Sequence, residues 1–441
     1  MRDWLWMGAG ALGRGIARGE IDAEALTETY LAAIAEDDRV ETIYARTTPD
    51  RARAEAAAAA ARAKTGLRRG PLDGVPVSWK DLFDSAGIAT EAGSALLSGR
   101  VPRDDAEVLA TATAAGAVCL GKTHMSELAF SGLGLNPITA TPPNVHDPAL
   151  VPGGSSSGAA ASVAFGLAPL AIGSDTGGSV RNPAAWNDLV GLKTTWGRLS
   201  LRGVVPLVES IDTVGPLCRN VEDAALALAL LEGGKAPDLA EATLSGTRLL
   251  VLEDFAETSR DAPRAAFAHA VERFQDAGAT VEHKALAPVG RAMELSALLF
   301  APEAYATWRE EIEAAPGKMF QPILERFRTG KGVEAADVIA AYRTQQVAKA
   351  DYLKETAGYD AVILPTVAIL PPDRERLLSD PGYYVEENLL ALRNTRVGNL
   401  LGLCGLTLPT GVPSCGVMAL CPPMQEERLL RLGAAMEAAL A

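Results

Sequence analysis

A chain of 441 residues, 48% hydrophobic and 22% charged, holds enough apolar material for one large α/β domain or for two or three smaller ones. Its formal net charge of −14 and pI near 4.9 exclude a scaffold that grips nucleic acid through a basic face, since phosphate binding relies on clustered Lys and Arg. The densest basic stretch, "GLRRG" around Arg68 and Arg69, reads as a loop.

In chain order, residues 22–34 form an amphipathic helix with Asp22 as its N-cap, and 49–66 an Ala-rich helix closed by Gly66. "GVPVSWKD" (74–81) is a short buried strand that delivers Lys80 at its end. A helix at 106–116 leads to a buried strand at 117–122. After "PGGSSSG", a helix of tiny residues (157–166) precedes the strand "PLAIGSD" (169–175), the loop "TGGS" and a second helix beginning near Ser179. A βαβ-like unit follows at 248–286, then helical stretches at 290–314 and 333–357 and a strand at 359–366. The start "MRDWLWMGAGALGRG" does not read as a signal peptide, because Asp3 offsets Arg2 and Arg14 follows early. No run of 18 apolar residues suggests a membrane span. The odd cysteine count of 5, without a Cys-x-x-Cys pair, points to reduced, buried thiols in a cytoplasmic protein.

Three motifs compete for the chemistry. "GAVCLGKT" (116–123) satisfies the phosphate-loop pattern, yet its interior is strand-like and a helix rather than a strand precedes it, so it does not read as a nucleotide site. Four histidines lack metal-ligand spacing, and the serine candidate Ser179 stands in G-G-S-V-R rather than G-x-S-x-G. Lys80 remains, read either as a solvated strand-end ammonium or as a buried amine whose charged form is disfavoured, leaving it free to act as a base.

The segment "GGSSSGAAASVAFGLAPLAIGSDTGGSVRNPA" (153–184) resembles the signature of the amidase signature family, and "PLDGVPVSWKD", "LGKTHMSELAFSG", "GLKTTWGRLS", "SIDTVGPLCR" and "YDAVILPT" are similar to further family segments. The resemblance implies one α/β domain: a large mixed β-sheet with helices on both faces. Its expected parts are an N-terminal helical layer (1–66), a catalytic core (70–220), a variable helical and substrate-lid region (235–358) and C-terminal strands and helix (359–441). It implies a Ser-cisSer-Lys triad with Lys80 as base, Ser155 as the bridging serine after a cis bond from Gly154, and Ser179 as nucleophile. Thr176, Gly177, Gly178 and Ser179 would supply oxyanion-hole amides. Asp175 is expected to hold the loop through backbone N–H groups and Arg181 to pair with a carboxylate. Ser156 is expected to assist the relay, Ser157 to cap a helix, and Ala129, Phe130 and Ser131 to meet substrate.

Departures from the family pattern are Trp186, Asn187 and Asp188 behind the nucleophile, Thr194 where proline is common, and His124 where asparagine is common. His124 reads as a structural histidine. The aromatics Phe300, Tyr305, Trp308 and Phe320, with Met319, read mainly as core, with about a third lining a pocket or lid. The expected activity is hydrolysis of a linear C–N bond in a small amide or carbamate, by a monomer or homodimer without cofactor or metal. The competing expectation is the amidase-like subunit of a tRNA-dependent amidotransferase.

Overall fold

The computed structural model describes residues 2–441. Eleven strands, β1 (Tyr44–Thr47), β2 (Pro76–Lys80), β3 (Val118–Thr123), β4 (Leu170–Asp175), β5 (Val190–Lys193), β6 (Thr213–Cys218), β7 (Arg248–Leu252), β8 (Thr280–Lys284), β9 (Ala361–Pro365), β10 (Cys404–Pro409) and β11 (Gly416–Cys421), join in one sheet. Their order is β1-β3-β2-β4-β6-β5-β10-β11-β9-β7-β8. The sheet is mixed: β3, β2 and β4 run parallel, as do β9, β7 and β8, while β6, β5, β10 and β11 supply the antiparallel pairs between them.

Every residue of β2, β3, β4, β5, β6, β9 and β11 is buried, without the in–out alternation of a strand wetted on one side. Helices therefore cover both faces of the central sheet, and the chain forms the single α/β domain expected. The edge strand β8 is largely open to solvent. All five cysteines are free and buried, and among the described residues no helix is long and apolar enough to cross a membrane.

The early helices fall where the sequence puts them. Ala23–Glu36 is capped by Asp22, whose Oδ1 accepts the amides of Glu24 and Ala25 at 2.9 and 3.1 Å. Pro49–Lys64 ends before Gly66, which takes φ +72°. The βαβ unit is present as parallel β7 and β8 around the helix Asp261–Asp276, with an additional turn of helix at Glu253–Glu257. The expected 290–314 helix is two, Ala287–Glu294 and Ser296–Ala314.

Two features of this scaffold position the site. Ser78 pairs with Ala171 and Trp79 with Ile172, so the last residue of β2, Lys80, comes level with Gly173, near the carboxyl end of β4. The carboxyl ends of adjacent parallel strands are where open α/β sheets place their ligands. The tiny-residue helix Ser157–Ala164 packs on β4, β2 and β6. It lies close enough that a Cβ at Gly158 would fall 2.4 Å from the Ile43 carbonyl.

Sheet packing is equally close at β6, where a Cβ on Gly215 would stand 1.9 Å from the backbone oxygen of Leu192. Gly215→Ala is expected to cost about 1–3 kcal/mol by overpacking, read as a lowered apparent Tm in scanning calorimetry.

Candidate active site

The centre is built on the ends of β2 and β4. Lys80 Nζ lies 2.7 Å from Ser155 Oγ and 2.8 Å from Ser174 Oγ, and the lysine is 0% exposed. Burial drives its basicity down to about 7, against the opposing pull of the Asp212 and Asp175 charges. Of the two readings left open for Lys80, the buried amine is the one observed.

The Gly154–Ser155 peptide is cis. Gly154 has no room for a side chain, since a Cβ there would lie 2.6 Å from both Gly134 N and Ser126 Oγ. The Ser156 amide donates to the Ser179 carbonyl at 3.2 Å, bringing the two serine loops together. Among the described residues no hydrogen bond joins the hydroxyls of Ser155 and Ser179; catalytic contacts of this kind often close only around substrate. Ser156 does not reach Lys80. Its hydroxyl instead brackets Ser174, donating to that residue's carbonyl at 3.3 Å and accepting its amide at 3.4 Å. Ser157 is the first helical residue and no cap; its hydroxyl donates to the His124 carbonyl.

Asp175 organises the loop that follows. Its carboxylate accepts the amides of Gly178 and Val180 at 2.9 and 3.2 Å and pairs with Arg181 at 2.9 Å, both side chains being wholly buried. Burial pushes this carboxyl up, but the guanidinium of Arg181 and the ammonium of Lys193 more than reverse the effect and hold it well below the usual carboxylate range. Because Asp175 occupies the Gly178 amide, that group is withdrawn from the expected oxyanion donors. The amides of Thr176, Gly177 and Ser179 find no acceptor among the described residues.

Ser179, Thr176 and Gly177 form part of the wall of a cavity of about 690 Å³ that is also lined by Ala129, Phe130 and Ser131. Lys80 and Ser155 do not line it. Ser131 is fixed by Tyr384 and Asn388, at 2.9 and 3.1 Å. Of the aromatics from 300 to 320 singled out in the sequence, Phe300 alone reaches the cavity, while Trp308 bonds the Pro206 carbonyl and Phe320 packs edge-on against Tyr384.

His124 is buried away from the cavity with Nε2 on the Glu41 carbonyl and Nδ1 unpartnered, and burial pushes the ring down to about 4. Lys122, the lysine of the phosphate-loop pattern, lies on β3 and ends in an ion pair with Asp81. Asn187 donates to the Pro152 and Pro183 carbonyls at 2.7 and 2.8 Å, bracing the approach to Gly154, and Asp188 pairs with His146.

Several contributors were not singled out in the sequence. Ser174 was visible beside Asp175 but unassigned. Asp212 accepts the Thr176 hydroxyl at 2.5 Å, Thr395 donates to the Gly177 carbonyl at 2.7 Å, and Asn399 bonds both Asp175 and Arg181. Thr395 and Asn399 sit four residues apart, the spacing that puts two polar groups on one helical face, but Arg393, Asn394 and Arg396 beside them mask that signal.

The "Amidase" family profile matches residues 25–430 of the chain. The chain belongs to the amidase signature family. It is 33% identical over 480 residues, 98% of its length and 96% of the relative's, to a glutamyl-tRNA(Gln) amidotransferase subunit of Anaeromyxobacter dehalogenans (strain 2CP-C). It is 34% identical to 2-amino-5-chloromuconic acid deaminase of Comamonas testosteroni over 437 residues, 96% and 94% of the two chains. A crystal structure described as an amidase superposes with a TM-score of 0.88 at 30% identity, covering 99% of this chain and 100% of that one. The protein is accordingly an amidase-family hydrolase acting on C–N bonds.

Gly178 has φ +133°, and a Cβ there would lie 2.0 Å from Thr395 Oγ1. Gly178→Ala is expected to displace the loop and, with Ser179 as the expected nucleophile, to slow covalent labelling by a fluorophosphonate at least 10-fold; unchanged labelling kinetics would show that the loop tolerates the methyl group.

Proposed function

We propose that the protein is a serine hydrolase that opens a linear C–N bond of a small amide or carbamate through an acyl-enzyme on Ser179. The observation that carries this reading is the buried Lys80 amine 2.7 Å from Ser155 Oγ, with basicity lowered to about 7. In the neutral form Lys80 accepts the Ser155 proton while Ser155 takes that of Ser179, whose oxygen attacks the substrate carbonyl. The oxyanion that forms faces the unengaged amides of Thr176, Gly177 and Ser179, where each donor is typically worth ~3 kcal/mol. Lys80 then returns the proton through Ser155 to the departing nitrogen. Water enters by the same relay, releases the acid and restores Ser179. Asp175, Arg181 and Asp212 hold the loop in place without touching substrate.

A second reading, the glutamine-hydrolysing component of a tRNA-dependent amidotransferase, is favoured by the 33% identity to a subunit of such an enzyme. Assay of the isolated protein on primary amides, anilides, carbamates, esters and glutamine separates the two. Activity on glutamine alone, and only with added partner subunits, would select the second.

Ser179→Ala is expected to abolish fluorophosphonate capture and lower turnover by roughly 10³-fold or more. Ser155→Ala and Lys80→Ala should also be severely impaired, whereas His124→Ala should keep much of its activity. A dead His124 variant beside an active Lys80 variant would reverse the assignment.

The pH dependence follows from the sign of the Lys80 shift. Below about 7 the amine is protonated and cannot accept a proton; above it the neutral base accumulates. For a neutral substrate, kcat/KM should therefore climb through about pH 7 and stay high into alkali, and the limb should vanish in Lys80→Ala. A flat profile from pH 5 to 10, with chemistry rate-limiting, would remove Lys80 as base.

A further inference from the structure

The wall of the cavity beside Ser179 carries two arginines, Arg326 on the helix Gln321–Arg328 and Arg396 on Arg396–Leu400. Neither meets a carboxylate within 4 Å, although Arg46, Arg51, Arg62, Arg181 and Arg198, which are also largely shielded from solvent, all do; Arg219, also without a carboxylate, has both Nη groups on backbone carbonyls. Arg326 donates only Nη1, to the Phe130 carbonyl at 2.9 Å, and its guanidinium lies 4.3 Å from the centre of the Phe130 ring. Arg396 donates Nε and Nη2 to the carbonyls of Leu392 and Leu389, and its stem lies against Gly177.

Arg326 Nε and Nη2 and Arg396 Nη1 are left without an acceptor among the described residues. Arg393, nearby in sequence, differs: its three nitrogens are all engaged, and it does not line the cavity. The acidic residues on the cavity wall do not neutralise the pair, since Glu325 bonds Gln321 and Arg328 and Glu294 forms no ion pair. Burial pushes both guanidiniums down to about 10, and the positive charge of Arg326 adds to the effect at Arg396. Two cations left unpaired at one apolar-walled cavity are costly unless an anion joins them. The planar forks of their free N–H groups match a carboxylate.

We propose that Arg326 and Arg396 together bind a carboxylate at the end of the substrate remote from the scissile bond, so that the preferred substrates are amides of small dicarboxylic acids rather than neutral amides. This rests on the hydrolase reading above. Arg326, tied to Phe130, and Arg396, against Gly177, line the same cavity as Ser179. An anionic end held between them leaves the carbonyl of a short chain to meet the nucleophile.

The test is ammonia release from ω-carboxyl amides (succinamic, glutaramic and adipamic acids) and from their terminal-methyl analogues, alongside fluorophosphonate labelling of Ser179. At least one acid is expected to exceed its methyl analogue at least 30-fold in kcat/KM. In Arg326→Gln and Arg396→Gln that ratio should fall at least 10-fold, mainly through KM, with partial recovery in the Lys variants. Equal or better turnover of the methyl analogues, or equal loss on both series in the Gln variants, would overturn the inference, the latter by showing a merely structural role. Labelling of Ser179 with no acid in the series turned over would overturn it while leaving the hydrolase reading standing. Absence of labelling would remove both.

Discussion

The wholly buried ion pair between Asp175 and Arg181 is the constraint on which the site hangs. Such pairs contribute little net stability, because desolvation offsets attraction, but losing one partner strands a charge at a cost of about 3–5 kcal/mol. The Arg181 guanidinium keeps Asp175 ionised, and the ionised carboxylate gathers the amides that shape residues 176–181. The same Asp175 charge supports the protonated form of Lys80. Burial alone would carry the lysine further down; the carboxylates of Asp175 and Asp212 hold it near neutrality, the range the proposed proton relay requires. Loop geometry and base strength thus depend on one interaction, reinforced from the C-terminal part of the chain by Asn399, which bonds both members of the pair.

Small residues are the second condition. A hypothetical Cβ would come within 2.0–2.6 Å of a neighbouring atom at Gly154, Gly173 and Gly178, so the loops carrying Ser155 and Ser179 touch their neighbours through backbone and hydroxyls. Close packing excludes water from Lys80, and exclusion of water is what lowers its basicity. The run of glycine, serine and alanine from 153 to 179 is therefore the spatial requirement for dehydrating one amine.

This explains what could be read in the sequence. Lys80, Ser155 and Ser179 stood in segments whose composition is dictated by close approach, and β2, β4 and the helix before β4 were legible as runs of apolar and tiny residues bounded by glycine. β5 and β6 were not, because Gly191, Gly215 and Pro216 interrupt them with residues that argue against a central strand. They are tolerated in antiparallel pairing where the neighbouring backbone comes close. That Asp175 holds the loop through backbone amides was legible; that the Gly178 amide, expected among the oxyanion donors, is one of those it takes was not, since glycine at a helix approach signals available amides without showing which of them a carboxylate claims.

The cavity and the buried group beside it also differ in how the chain assembles them. Lys80, Ser155 and Asp175 are fully buried, and each bonds another member of the group or its flanking loops, so replacing any of them disturbs the rest. The cavity wall is drawn largely from three separated stretches, 129–131, 293–329 and 381–396, whose periodicity marks only helices with one buried face. Arg326 and Arg396 reach the cavity while bonding only backbone carbonyls, which remain in place when a side chain is exchanged. Substitution there removes few protein contacts and leaves the Asp175 network intact. The Lys80–Ser155–Asp175 group and the cavity wall are therefore physically separable parts of one domain, and a sequence that declares the first through a continuous motif gives the second only as scattered positions.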